Sequence, residues 1–127
     1  MTIPVAIADL VAKTEEYGWA YLLTVRDDQR PHIVAVAPVW DGELLTMDVG
    51  RRTADNVEAR PSISLCYPPV EDGAYSLIVD GQGCVSGDQK AQFAPTDAVL
   101  HRPAPVGFDA SSTGCGSDCE PVSPTGS

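Results

Sequence analysis

Apolar and polar positions alternate along most of this chain in short blocks separated by turn residues, and the one clear helical period comes first. Ile7, Leu10 and Val11 stand at i, i+3 and i+4 behind Pro4, which suits a first helical turn, so residues 5–16 are predicted as an amphipathic helix ended by Gly18. Asp9, Lys13, Glu15 and Glu16 fall mostly off that stripe, as on a helix packed over a sheet. The blocks WAYLLTVR (19–26) and HIVAVAPVW (32–40) are rich in β-branched and aromatic residues and flank the turn DDQRP, so both are predicted strands. Asp41-Gly42 is a two-residue hairpin signal that joins 32–40 to ELLTMDV (43–49), completing a three-stranded meander. Pro38 cannot donate to a ladder and is expected at a bulge or an edge.

A short helix, Ala54 to Arg60, is predicted next, stopped by Pro61. SISLCYP (62–68) reads as a fourth strand, and AYSLIVDGQGCVSG (74–87) as two segments or one strongly coiled strand, with a bulge or bend at Gly81 or Gly83. Several short strands at regular spacing point to a small barrel rather than an open sheet. Beyond residue 87 a short helical turn and a brief extended segment around Ala98 to His101 are expected. From Gly107 the residues are Gly, Ser, Thr, Pro and acid, the composition of a disordered tail. The predicted organisation is a barrel domain over 1–102 and a Gly/Ser/Pro-rich acidic C-terminal tail over 103–127.

Charge changes this picture by exclusion. A net charge of −10 argues against nucleic acid and anionic membrane as partners. There is no long apolar run, and MTIPVAIADL lacks the basic start and apolar core of a signal peptide, so a cytoplasmic location is expected. Cys66 and Cys84 lie in apolar runs, where a thiol behaves as a small hydrophobe. Cys115 and Cys119 are spaced C-x3-C with no second pair or histidine nearby, which falls short of a zinc signature, and no metal site is expected.

The candidate chemistry concentrates in MDVGRRTADNVEARP, residues 47–61. Gly50 frees the backbone at a strand exit, Arg51 and Arg52 bring two permanent cations, and Thr53 suits the start of the short helix. A helix start presents unpaired N–H groups and a positive dipole end, so this order is a candidate seat for phosphate. The competing reading is a solvated loop whose arginines are neutralised by Asp55 and Glu58.

The order of RPHIVAVAPVW (30–40), LLTMDVGRRTADN leading to the Asn-x4-Pro of Asn56 and Pro61, and SISLCY (62–67) carries a resemblance. Residues 19–87 resemble the flavin-binding split β-barrel proteins, the pyridoxamine 5′-phosphate oxidase-like family that includes many deazaflavin (F420) reductases. The resemblance implies a mainly β fold, a small split β-barrel with an N-terminal helix and a short helix after the third strand. It also implies a homodimer that holds FMN or F420 in grooves at the subunit interface. By position, Val34, Ala35 and Val36 would flank the ring or ribityl chain, and Thr46 and Met47 would end the third strand beside it. Arg52 with Thr53 would meet the phosphate, Asn56 would lie near the helix start, and Gln82 would supply a polar group from the later strand. Two departures stand out. Arg51-Arg52-Thr53 occupies the place of the usual Arg-Lys or Ser-Arg-Lys, where Arg51 can replace the missing charge, and the usual long final strand has no counterpart beyond AVLHRP.

The function implied is an oxidoreductase that passes a hydride between FMN or F420 and a small organic substrate. Such chemistry asks little of side chains, because the ring is the reactive group, so no catalytic residue is singled out. The alternative is a non-catalytic protein of the same fold that sequesters flavin or, through His32 or His101, haem. A third possibility is a degenerate barrel that dimerises and binds nothing.

Overall fold

Along the strand Ala20–Val25 (β2), Ala20, Leu22 and Thr24 turn inward and are buried while Tyr21 faces out, the period-two signature of a sheet with one packed face. The computed structural model describes residues 1–87 and 89–104, and in it the same alternation recurs along Ser62–Tyr67 (β6) and Ser76–Ser86 (β7). The remaining strands are Thr2–Pro4 (β1), Pro31–Val36 (β3), Val39–Asp41 (β4), Leu44–Asp48 (β5) and Lys90–His101 (β8). All pair antiparallel in the order β3-β2-β6-β7-β8-β5-β4, with β1 added to β8. The sheet curls around Leu22, Leu45, Leu65, Leu77, Val79 and Phe93, none of them more than 1% exposed. The helices Leu10–Thr14 (α1) and Arg51–Ala59 (α2) complete a split β-barrel. None of the described helices is long and apolar enough to cross a membrane.

Two glycines make the long strand possible. A Cβ on Gly81 would strike the Ala94 carbonyl and the ring of Phe93, and one on Gly83 would strike Ile63 and Val57. The register of β7 against β8 slips between Asp80 and Gly81, so the expected bulge is present and lets one coiled strand run from Ser76 to Ser86.

The structure corrects the expected elements in four places. Residues 5–16 are not one helix: β1 pairs with the end of β8, Val5 N–H donates to the Ala98 carbonyl (2.9 Å), Ile7–Asp9 is a 3-10 turn, and α1 spans five residues. The otherwise open edge at the end of β8 takes up this backbone as a strand. The segment 32–40 is broken at Ala37 and Pro38 into β3 and β4, and the β4–β5 hairpin loop is Gly42 and Glu43, with Gly42 at φ +64°, one residue later than expected. The helix α2 starts at Arg51 with Gly50 as its N-cap, so Thr53 lies inside the first turn rather than before it.

The fourth correction concerns the end of the barrel. In place of a helical turn and a brief extended segment stands β8, twelve residues long, hydrogen-bonded to β7 along its length, to β5 at its start and to β1 at its end. Pro95 is tolerated because the β5 ladder stops at Phe93 and the β1 ladder begins only at Val99, while the bulge at Gly81 lies across from it on the other side. The long final strand is therefore present. The expected tail, with Cys115 and Cys119, lies outside the described residues.

Candidate cofactor site

The start of α2 is the electrostatic feature of the surface. Gly50 offers no side chain to cap the helix, and the first helical bond runs from Ala54 N–H to the Gly50 carbonyl (3.0 Å), which leaves the N–H groups of Arg51, Arg52 and Thr53 outside the helix's own ladder. The helix turns Thr53, Ala54, Asn56 and Val57 into the barrel and leaves Arg51, Arg52, Asp55 and Glu58 exposed. Val57 is fully buried against Gly83, and the Asn56 side-chain amide donates to the Thr24 hydroxyl on β2 (3.1 Å). That bond anchors the helix start, because Thr24 is an inward polar group in an otherwise apolar strand and needs a partner.

The cations of the chain divide sharply. Lys13, Arg26, Arg30, Arg60 and Lys90 each face a carboxylate, and Arg102 donates to the Gly73 carbonyl and lies over the Tyr75 ring. Among the described residues, Arg51 and Arg52 have neither a salt bridge nor a side-chain hydrogen bond. Both are solvated, as the competing reading expects, but on the helix itself and, among the described residues, without an ion pair to Asp55 or Glu58. Both line a cleft of about 430 Å³ with Asp27, Asp55 and Asn56. Arg52 and Asn56 continue into an adjoining cleft of about 280 Å³ walled by Arg26, Asp27 and Asp28 from the turn between β2 and β3. Arg60, at the other end of α2, fixes that turn by donating to the Val25 carbonyl (2.7 Å) and to Asp27 (2.9 Å).

Of the ten candidate residues, Arg51, Arg52 and Asn56 come together in this cleft, while Thr53 is 2% exposed on the inward side of α2 and does not line it. The others lie elsewhere on the barrel. Val34 is half-buried and Val36 points into the core on β3, while Ala35 faces outward opposite Tyr21. Because β3 forms one edge of the sheet, half of its backbone polar groups face no neighbouring strand, so this stretch, though not each of the three positions, offers main-chain donors and acceptors. Met47 is 2% exposed and belongs to the core, whereas Thr46 faces outward and donates to the Val39 carbonyl (3.4 Å). Gln82 is exposed and donates to the Ser62 hydroxyl (3.0 Å). His32 is half-buried opposite Thr24, and His101 is exposed with its Nδ1 beside the Thr2 hydroxyl (3.2 Å).

Sequence reasoning missed Arg26, which read as the end of a strand, and Asp27 and Asp28, which read only as a polar turn. Their role depends on a contact between residues some distance apart in the chain. The available signal was Thr24, whose inward place in the alternation Ala20, Leu22, Thr24 asks for a polar partner. A third cleft, about 540 Å³, lies between the 3-10 turn and the β4–β5 hairpin and is lined by Ile7, Val11, Trp40 and Leu44 among others. The Trp40 indole is held there by donating to the Thr14 hydroxyl (2.8 Å).

No family model matches the chain. An uncharacterized protein of Mycobacterium bovis and one of Mycobacterium tuberculosis are each 38% identical over 126 residues, spanning 87% of this chain and 89% of theirs. Among solved structures, an F420 reductase superimposes with TM-score 0.53 at 19% identity, over 64% of this chain and 88% of its own. A protein of the pyridoxinephosphate oxidase family from Clostridium acetobutylicum gives 0.60 at 14%, over 77% and 91%. HutZ, a haem storage protein from Vibrio cholerae, gives 0.56 at 14%, over 72% and 91%. At such identities these three share the fold with this chain and nothing more is carried across. The chain belongs to one family with the two uncharacterized mycobacterial proteins, built on the split β-barrel of pyridoxamine 5′-phosphate oxidase-like proteins.

Proposed function

We propose that this protein is a cytoplasmic, homodimeric oxidoreductase that binds FMN or F420 and passes a hydride between that ring and a small organic substrate. The observation that carries the reading is the pair of arginines, unengaged among the described residues, at a helix start without a side-chain cap. Arg51 and Arg52 line one cleft together with Asn56, which is 5% exposed, beside the first-turn N–H groups of α2, a combination suited to a phosphate. Thr53 supports the phosphate from within the first turn. The bound ring would supply the hydride chemistry. The chain's own contribution would be to orient the ring, with the edge backbone of Val34, Ala35 and Val36 on one side and the outward Thr46 and Gln82 contributing polar contacts. A second copy would exclude water from the ring, and the exposed apolar side chains of Trp19 just before β2, Tyr21 on β2 and Ile33 on β3 are a surface suited to it.

The test is a fluorescence titration of the purified protein with FMN and with F420, followed by turnover with the reduced cofactor. Quenching of one of them at micromolar concentration supports the reading, and binding of neither removes it. A second reading, haem holding without turnover, rests on the fold shared with HutZ and on exposed His101, whose Nε2 has no partner among the described residues while Nδ1 meets Thr2. It predicts a Soret band that is lost in His101→Ala.

A further inference from the structure

We infer that the cleft between the 3-10 turn and the β4–β5 hairpin binds a small organic cation with an apolar body, an aryl- or alkylammonium, held by the Trp40 ring and the Glu43 carboxylate. The cleft, about 540 Å³, has the size of a small-ligand site and takes its walls from three parts of the chain: Ile7 and Val11 from the first turns, Trp40, Glu43 and Leu44 from the hairpin, and Pro95 from β8. It shares no lining residue with the clefts at the start of α2, so a ligand here need not meet one there. Of the apolar stripe Ile7, Leu10 and Val11, only Leu10 enters the core, at 1% exposed. Ile7 and Val11 stay 44% and 43% exposed and line the cleft instead.

One fixed aromatic ring and one unpaired carboxylate select the ligand. The Trp40 indole donates to the Thr14 hydroxyl (2.8 Å), and Thr14, which donates to the Val11 carbonyl (2.9 Å), is not part of the lining. The polar edge of the ring is thereby satisfied, and Trp40 presents carbon to the cleft. Among the described residues Glu43 is the one ionisable side chain on the lining, and it makes neither an ion pair nor a side-chain hydrogen bond. The base on α1, Lys13, is held by Glu16 (3.2 Å) and lines a different cleft with Tyr17. An anion would therefore meet Glu43 and a chain of net charge −10 with no cation beside it, whereas an organic cation is drawn by both and can lie over the indole.

The experiment titrates the full chain, carrying Trp19→Phe so that Trp40 is its remaining tryptophan, with benzyltrimethylammonium, with the neutral carbon isostere neopentylbenzene and with benzoate, following Trp40 emission and the heat of binding. The expected result is a saturable change with the cation, at an affinity roughly five- to thirtyfold above that of the isostere, and none with benzoate. Glu43→Gln should weaken the cation by roughly two- to fivefold and leave the isostere unmoved, and Val11→Lys should abolish cation binding; both positions are exposed, so the fold is kept. Equal affinity for the cation and either control, no saturable change with any of the three, or cation affinity unmoved in both variants would overturn the inference. Trp40 emission that shifts with protein concentration and not with the cation would give the cleft to a second copy and overturn it as well.

Discussion

Six of the eight basic side chains are already engaged by a carboxylate, a carbonyl or a ring, and an arginine in that condition has little left for a ligand. Arg51 and Arg52 are exposed and make no such contacts among the described residues, so replacing them should leave folding stability within about 0.5 kcal/mol. Asn56 behaves in the opposite way. Its side chain is 5% exposed and its amide is bonded to the buried Thr24 hydroxyl, so Asn56→Ala leaves that hydroxyl without a partner. The expected loss is about 1–3 kcal/mol in chemical denaturation. An unchanged denaturation midpoint would show that the bond does not hold the helix start.

At the scale of elements, the glycines in β7 set the curl of the barrel. Gly83 has Ile63 and Val57 where a side chain would go, so Gly83→Ala should cost about 1–3 kcal/mol in thermal or chemical unfolding, whereas Gly42→Ala, at positive φ with open space around it, tests only backbone strain. β2, β3, β6 and β7 were legible because each is a short block rich in β-branched or aromatic residues between turn residues, and the bulge was legible from Gly81 and Gly83. The helix at 5–16 was misread for a tertiary reason: Ile7 and Val11 do stand on one stripe, but the backbone before them is used by the edge of β8. β8 itself was hidden because Pro95 interrupts its pattern, and its acceptance depends on ladders formed by β1, β5 and β7. The arginine pair was visible as a motif. The wall facing it was not, since it is assembled by packing α2 against the turn after β2.

For the molecule as a whole, two predictions follow from its surfaces and its buried phenols. On the outer face, Tyr21 stands opposite Ala35 and Cys66, Leu23 opposite Ile33, and Trp19 packs edge-on against Tyr21 (4.7 Å between centroids). Ile33, 55% exposed, sits in this apolar strip, so sedimentation should give twice the monomer mass and Ile33→Asp should give a folded monomer. A wild-type monomer at micromolar concentration would remove the shared groove. Inside the barrel, burial pushes the Tyr67 phenol up from 10.0 to about 12. Below pH 10 both folded and unfolded chains hold this proton and nothing is lost; between 10 and about 12 only the unfolded chain releases it, so stability falls as pH rises. The loss attributable to this group approaches about 3 kcal/mol. Tyr67→Phe should flatten that decline in denaturation measured across the range, and an unaltered slope would assign it to other groups.

The most direct test of the proposed cofactor site is a calorimetric or fluorescence cycle with two ligands and two proteins: FMN and riboflavin, against the wild type and the Arg51→Ala/Arg52→Ala double variant. Riboflavin has the ring and lacks the phosphate, so the cycle isolates the interaction between that phosphate and these two side chains. The structure predicts that the wild type prefers FMN by roughly ten- to a hundredfold, from one or two charge-assisted contacts, and that the double variant binds both ligands alike. A wild type that binds FMN no better than riboflavin, or a double variant that keeps the full preference, would contradict it.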